Sequence, residues 1–246
     1  MRSLHPLPAV SLLEHDPDMA GSVPADRLDS ARRHLVSRTS AVRVGEWTAG
    51  ERDVGPGGGA GLLILEGVTV RRTRIGPRRT AELLGQGDLL RPWQDGGGSA
   101  HYPTQGSLQA LEPLRLAHLD LEFLSRASAY PEILACLTAR ALERARALSI
   151  ALAVAQIPSL QERLLVTLWH LADRYGRVRP DGVLVPLKLT HELLAELSAA
   201  QRPSVTTALG ALRGRALITP EGRGWLLRGD PPTLHVRHTA SVNGGS

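Results

Sequence analysis

Leu189-Thr-His-Glu-Leu-Leu-Ala-Glu-Leu-Ser-Ala-Ala-Gln-Arg-Pro-Ser-Val-Thr-Thr-Ala-Leu209 is the stretch on which the fold turns. Thr190 is a good N-cap, and Glu192 in the following turn suits the positive end of a helix dipole. Leu194 and Leu197 fall three apart on one side, and Ala195 is small enough for a second backbone to come close. A helix over residues 191–198 is predicted, with Ala199-Ala200-Gln201 as the turn. Pro203 then sits in the first turn of a second helix, where its missing N–H costs nothing. Val205, Leu209 and Leu212, spaced four and three apart, form the inner face of that helix. At about 100° per residue the opposite face carries Pro203, Thr206, Thr207 and Gly210, with Arg202 on its N-terminal flank. Two short helices at a tight turn, the second with a polar outer face, make a helix-turn-helix. Such a face enters the major groove of duplex DNA.

The residues that follow extend the pattern. Ala216-Leu-Ile-Thr219 and Trp225-Leu-Leu227 read as two strands, and Pro220-Glu-Gly-Arg-Gly224 between them as the turn of a wing. From residue 198 to residue 228 there are five arginines (Arg202, Arg213, Arg215, Arg223, Arg228) against one acid, Glu221. Phosphate is the natural counter-charge. A small helical core with solvated charges is the plainer alternative, but it requires neither the turn nor the wing.

The segment resembles the winged helix-turn-helix of the cyclic AMP receptor protein and fumarate-nitrate regulator (Crp/Fnr) family, and a weaker similarity covers roughly residues 30 to 230. The resemblance implies an α+β chain: an N-terminal β-roll of the cyclic-nucleotide-binding jelly-roll kind, a long dimerisation helix and a C-terminal winged helix-turn-helix. It also implies a homodimeric transcriptional regulator of double-stranded DNA, with RNA polymerase as a further partner.

Composition agrees. At 246 residues, 42% hydrophobic and 22% charged, the chain is long for one small core and comfortable for two domains. The formal net charge of +5 favours a polyanionic partner. A single cysteine, Cys136, excludes an internal disulfide framework and a cysteine-ligated iron–sulfur cluster within one chain. Glu14, Asp16 and Asp18 stand where a signal peptide would be apolar, and no run approaches the roughly 18 apolar residues of a membrane span. A cytoplasmic protein without membrane attachment is expected.

Residues 1–30 read as a loosely helical arm, and with the β-roll they make a unit over residues 1–130. From Val42 to Asp120 short apolar runs such as Gly61-Leu-Leu-Ile-Leu65 alternate with glycine-rich loops, among them Gly55-Pro-Gly-Gly-Gly-Ala-Gly61 and Gly96-Gly-Gly98. The first loop is not a phosphate cradle, because no Gly-Lys-[Ser/Thr] follows and it precedes a strand. A helix over residues 131–157 starts at Pro131. Its Leu134, Thr138, Ala141, Ala145, Leu148, Leu152 and Ala155 recur at four and three, a seam suited to a second copy of itself or to packing on its own sensor domain. Pro158 is the candidate hinge, and rotation about Ile157-Pro158 is the expected route for any effector control. An amphipathic helix with Leu160, Leu164, Leu168 and Leu171 inward opens the DNA-binding domain, residues 158–230. Residues 231–246 read as a tail without regular structure.

In the family's cyclic-nucleotide binders, Gly-Asp-hydrophobic-hydrophobic leads into a Gly-Glu pair that holds the ribose, and a downstream Arg-Ser pair neutralises the phosphate. Here Gly87-Asp-Leu-Leu90 leads into Arg91-Pro92, the downstream pair falls at Thr104-Gln105, and the Thr-Ser pair of the long helix becomes Leu148-Ser149. A buried phosphate without a cation is costly, so the residues argue against a cyclic nucleotide unless Arg91 supplies the charge. The candidate ligand pocket is therefore Arg91, Leu148 and Ser149. No cofactor or metal is implied, while haem through His101 or His118, or another effector, stays open.

Catalysis finds no support: Glu192 and Glu196 lie on a helix that DNA binding explains, and His235 and His238 lack further ligands. By resemblance, Thr190, Gln201 and Ser204 contact phosphates, and Gly222 and Arg223 form the wing tip. The family reads bases with an Arg-Glu pair at the start of the second helix and an Arg one turn on, positions held here by Arg202, Pro203 and Thr207. Only the first arginine survives, so a different operator is expected. Arg202 is suited to fork onto guanine, and Pro203 and Thr207 to touch a thymine methyl. The rival class is a module whose winged helix docks a protein instead of DNA.

Overall fold

The computed structural model describes residues 4–55, 57, 59–94 and 103–233. The chain opens with strand β1 (His5–Ser11) and three short helices, α1 (Leu12–His15), α2 (Pro17–Gly21) and α3 (Ala25–His34). Then come β2 (Val36–Val42), β3 (Gly45–Trp47), the turn α4 (Glu51–Val54), β4 (Gly61–Glu66), β5 (Thr69–Ile75), β6 (Arg78–Leu84), β7 (Leu89–Leu90), β8 (Thr104–Ala110) and β9 (Leu114–Leu119). Helices α5 (Leu121–Ala127), α6 (Pro131–Ala155) and α7 (Leu160–Tyr175) follow. The C-terminal part holds β10 (Arg177–Arg179), β11 (Gly182–Val185), α8 (His191–Leu197), α9 (Arg202–Gly214), β12 (Ile218–Glu221) and β13 (Gly224–Leu227).

Two antiparallel sheets, ordered β1-β2-β9-β4-β7 and β3-β8-β5-β6, form the N-terminal β-domain. The run Gly61-Leu-Leu-Ile-Leu65 shows how. Successive side chains of a strand point to opposite faces, so Leu62 and Ile64 enter the core shared with Leu84, Leu90 and Leu108. Leu63 and Leu65 face the other way, into a cluster with Phe123 of α5 and Ile133 and Leu137 of α6. Both faces of β4 are covered, hence the unbroken apolar run.

The N-terminal arm differs from the sequence reading. It begins as a strand paired with β2 (Leu7 opposite Thr39), and Leu12, Leu13, Met19 and Ala31 pack against α5 and α6. Pro6 and Pro8 are tolerated because β1 is an edge strand, where a missing donor breaks no ladder. The roll itself starts earlier than expected, at Val36. Gly59 is tight against the sheet: with φ +51°, a Cβ there would lie 2.1 Å from the Leu119 carbonyl oxygen. The loop over residues 96–98, His101, His235, His238 and the tail from residue 234 lie outside the described residues.

Helix α6 shows two faces. Ile133 and Leu137 are buried against its own β-domain. On the same flank Arg140 forks onto Asp16, with Nη2 2.7 Å from Oδ1, and Arg144 holds Glu82 at 2.7 Å and the Leu89 carbonyl at 2.7 Å. Burial pushes the Asp16 carboxyl up, but the Arg140 guanidinium and the Met19 N–H together hold it below the usual carboxylate value. The seam read from the sequence (Leu134, Thr138, Ala141, Ala145, Leu148, Leu152) is exposed, and only Ala155 is half-buried. Among the described residues no helix is long and apolar enough to cross a membrane.

Candidate nucleic-acid interface

The helix-turn-helix forms where the sequence places it. Thr190 Oγ1 accepts the Leu193 N–H at 3.1 Å and caps α8. Leu193, Leu194 and Ala195 are buried, Leu197 partly so, and Ser198 ends the helix by donating its hydroxyl to the Leu194 carbonyl at 2.6 Å. Ala199 turns the chain at φ +49°. Arg163 of α7 fixes that turn by donating to the Ser198 carbonyl at 3.0 Å, a tie that no local signal announces.

Helix α9 starts at Arg202, with Gln201 as its N-cap and Pro203 in its first turn. Val205, Ala208, Leu209 and Leu212 are buried against α7, α8 and the wing. Gln201, Arg202, Pro203, Ser204, Thr206, Thr207 and Gly210 are all exposed, so the outer face is bare. Thr206 Oγ1 donates to the Arg202 carbonyl at 3.1 Å and lies 3.0 Å from His191 Nδ1. Its polar end is thus engaged within the motif. Thr207 Oγ1 reaches the Pro203 carbonyl at 3.4 Å. His191, unremarked in the sequence, ties the start of α8 to the outer face of α9.

The wing is tighter than its sequence suggests. Pro220 and Glu221 belong to β12, leaving a two-residue turn, Gly222-Arg223, in which Glu221 pairs with Gly224. Gly222 has φ +57°, the conformation that such hairpin turns demand. Arg202, Arg213, Arg215 and Arg223 are exposed, whereas Arg228 is half-buried and donates to Thr219 Oγ1 at 2.6 Å. A hairpin missed in the sequence, β10–β11, extends the wing into a sheet ordered β10-β11-β13-β12. An Arg179–Glu221 ion pair joins the two hairpins.

Glu196 departs most from expectation. Unlike exposed Glu192 one turn before it, Glu196 is 7% exposed and accepts from Arg72 Nε of β5 at 2.7 Å, while Arg72 Nη1 holds Gln109 at 2.8 Å. Val68, Val70 and Leu83 of the β-domain continue the winged-helix core through this contact. Arg174 of α7 bridges to Asp88 at 2.7 Å beside it. Tyr175, set against Gly85, has its hydroxyl pKa raised by burial despite the opposing pull of Arg174. The Ile157-Pro158 junction is therefore backed by a packed, ion-paired contact between the two halves of the chain.

A cavity of about 240 Å³ is lined by Glu46, Trp47, Thr48, Ala49, Pro92, Gly106, Ser107 and Leu108, without Arg91, Leu148 or Ser149. Arg91 lies over the Trp93 ring at 5.6 Å, and its buried Nε has no hydrogen-bond partner among the described residues. Leu148 and Ser149 are exposed on α6, with Ser149 Oγ 3.2 Å from the Ala145 carbonyl. His118 is buried in β9 with Nε2 2.8 Å from Ser40 Oγ; burial, and then the Arg38 charge, lower its pKa.

Residues 162–235 match the model of the Crp-like helix-turn-helix domain. The C-terminal part of the chain is a Crp-like helix-turn-helix domain. The chain is 39% identical to an anaerobic regulatory protein of Bacillus subtilis over 64 residues, 26% of this chain and 27% of that protein. It is 31% identical to a global nitrogen regulator of Synechococcus elongatus over 111 residues, 44% of this chain and 50% of that protein. The chain thus spans half the length, or less, of these curated relatives. In fold it is similar to a mutant of CooA from Carboxydothermus hydrogenoformans, with a TM-score of 0.59 at 15% identity, over 78% of this chain and 84% of that one. The β-sheet domain ahead of the Crp-like domain, the long helix and the Crp-like domain itself thus follow the fold of that structure.

Proposed function

We propose that the chain is a DNA-binding transcriptional regulator of the Crp/Fnr type that reads a two-fold site as a homodimer in the cytoplasm. The observation that carries this reading is the bare outer face of α9, held rigid by a fully buried inner face. The regulatory names of the two relatives support it. Arg202 reads a base edge, and Pro203 and Thr207 offer apolar contact. Thr190, Gln201, Ser204, Gly222 and Arg223 position the duplex through phosphates without discriminating sequence.

Dimerisation rests on α6. Its outer side leaves Leu152 70% exposed on one stripe with Leu134 and Leu148, and Leu142 67% exposed about 80° around from that stripe. Two copies joined there present two recognition helices to successive grooves, about 34 Å apart. Effector control, where it operates, shifts the Arg72–Glu196 and Arg174–Asp88 contacts and so re-aims the DNA-binding domain. Fluorescence anisotropy with duplex DNA at rising salt tests the reading. Affinity is expected to fall steeply and linearly on a log–log scale; a chain that ignores duplex DNA at low ionic strength ends it.

A further inference from the structure

The hairpin β5–β6 carries five arginines (Arg71, Arg72, Arg74, Arg78, Arg79) against one glutamate, Glu82. Three of them serve the fold: Arg71 pairs with Glu82, Arg72 with Glu196, and Arg74 donates to the Gln105 side chain. For Arg74, Arg78 and Arg79 no carboxylate stands within ion-pair distance among the described residues, and all three are exposed. Arg74 lies directly opposite Arg79 across the strands, and Ile75 opposite Arg78. Like charges directly opposite destabilise a hairpin, so this tip holds a cost that an anion would relieve.

The alternation of the strands fixes which way that charge points. Val70 and Leu83 form one opposed pair, Arg72 and Ala81 the next, and Arg74 and Arg79 lie two residues further toward the tip on the same face. Val70, Leu83 and Ala81 pack against the winged-helix core, and Arg72 grips Glu196 of α8. At about 3.3 Å per residue the Arg74–Arg79 pair projects roughly 7 Å beyond that grip, on the side where the helix-turn-helix sits. Building on the DNA-binding reading, we propose that this hairpin tip is a second, sequence-indifferent DNA contact. Arg74 and Arg79, with Arg78 at the turn, take backbone phosphates flanking the segment that α9 reads.

The test compares the full chain with Arg74→Gln/Arg79→Gln on two duplexes, one of about 20 base pairs spanning the two half-sites and one of about 40 with flanks. On the long duplex the variant should lose about 0.9 of log–log salt slope per phosphate contact, a loss of about 2 to 4 for a dimer. On the short duplex it should match the unsubstituted chain. Arg74→Lys/Arg79→Lys should restore the slope, because neutralising a phosphate needs only the charge. An unchanged slope on the long duplex overturns the proposal, and equal weakening on both duplexes overturns the flanking assignment. Failure of the unsubstituted chain to bind either duplex would instead bring down the DNA-binding reading itself.

Discussion

Helices α9 and α6 are both half-buried, and the difference lies in what each leaves outside. Helix α9 exposes Arg202, Ser204, Thr206 and Thr207 over a core of Val205, Leu209 and Leu212. Helix α6 exposes Leu134, Leu142, Leu148, Ile150 and Leu152, while its inner flank is anchored by Ile133, Leu137, Arg140 and Arg144. A polar face over a rigid core suits a wet, charged, interchangeable partner. An apolar face of this size suits a dry and permanent one, because leaving several leucines in water costs about 1.5–3 kcal/mol each.

The comparison breaks first at the outer face of α6. Leu142→Glu with Leu152→Glu should weaken dimerisation by about 3 kcal/mol or more, on the order of a hundredfold. Sedimentation at graded concentrations would show it, and an unchanged dimer would mean that this face has another use. The inner flank should respond through folding. Asp16→Ala strands Arg140 and should cost about 3 kcal/mol in urea unfolding, with the dimer face intact. Since the Asp16 pKa is lowered in the folded chain, its stabilisation is present above the ordinary carboxylate pKa of about 4 and is lost as pH falls through the lowered value. Asp16→Ala should therefore flatten acid unfolding, and an unaltered acid limb would contradict the pairing.

Helix α9 is probed more finely. Arg202→Ala should cost about 1–3 kcal/mol at one base pair per half-site and relax preference there. Arg223→Ala should weaken all sequences alike and reduce the salt slope by about one. If a gel-shift titration shows the two acting identically, the division between reading and positioning fails. Glu196→Gln keeps a hydrogen-bond partner for Arg72 but removes the charge. It should leave α9 folded while loosening the hold of the DNA-binding domain on the β-domain, seen as faster amide exchange in α8 at unchanged global stability.

What could be read from the chain alone follows the range of the forces involved. The caps, turn and apolar spacing of α8 and α9 are local, so α8 lies within a residue of its predicted limits and α9 has Pro203 in its first turn, as expected. The seam of α6 was likewise visible as spacing. Glu196 was not readable as buried, because its partner Arg72 is 124 residues away. Strand β1 escaped for a similar reason: its partner lies some thirty residues on, and its two prolines signal against a strand. In hairpin β10–β11 the first strand offered no apolar run, with Val178 88% exposed between Arg177 and Arg179, and the apolar Val183-Leu-Val185 of the second is short. Arg91, Leu148 and Ser149 were grouped by resemblance, not by any local pattern of the chain.

The central claim is that two copies joined along α6 set two α9 helices one helical turn apart on DNA. Selection of the full chain on random duplexes tests it most directly. The account predicts enrichment of an inverted repeat whose half-sites are centred about 10 base pairs, or a multiple of that, apart. Enrichment of a single asymmetric site, or of none, would contradict it.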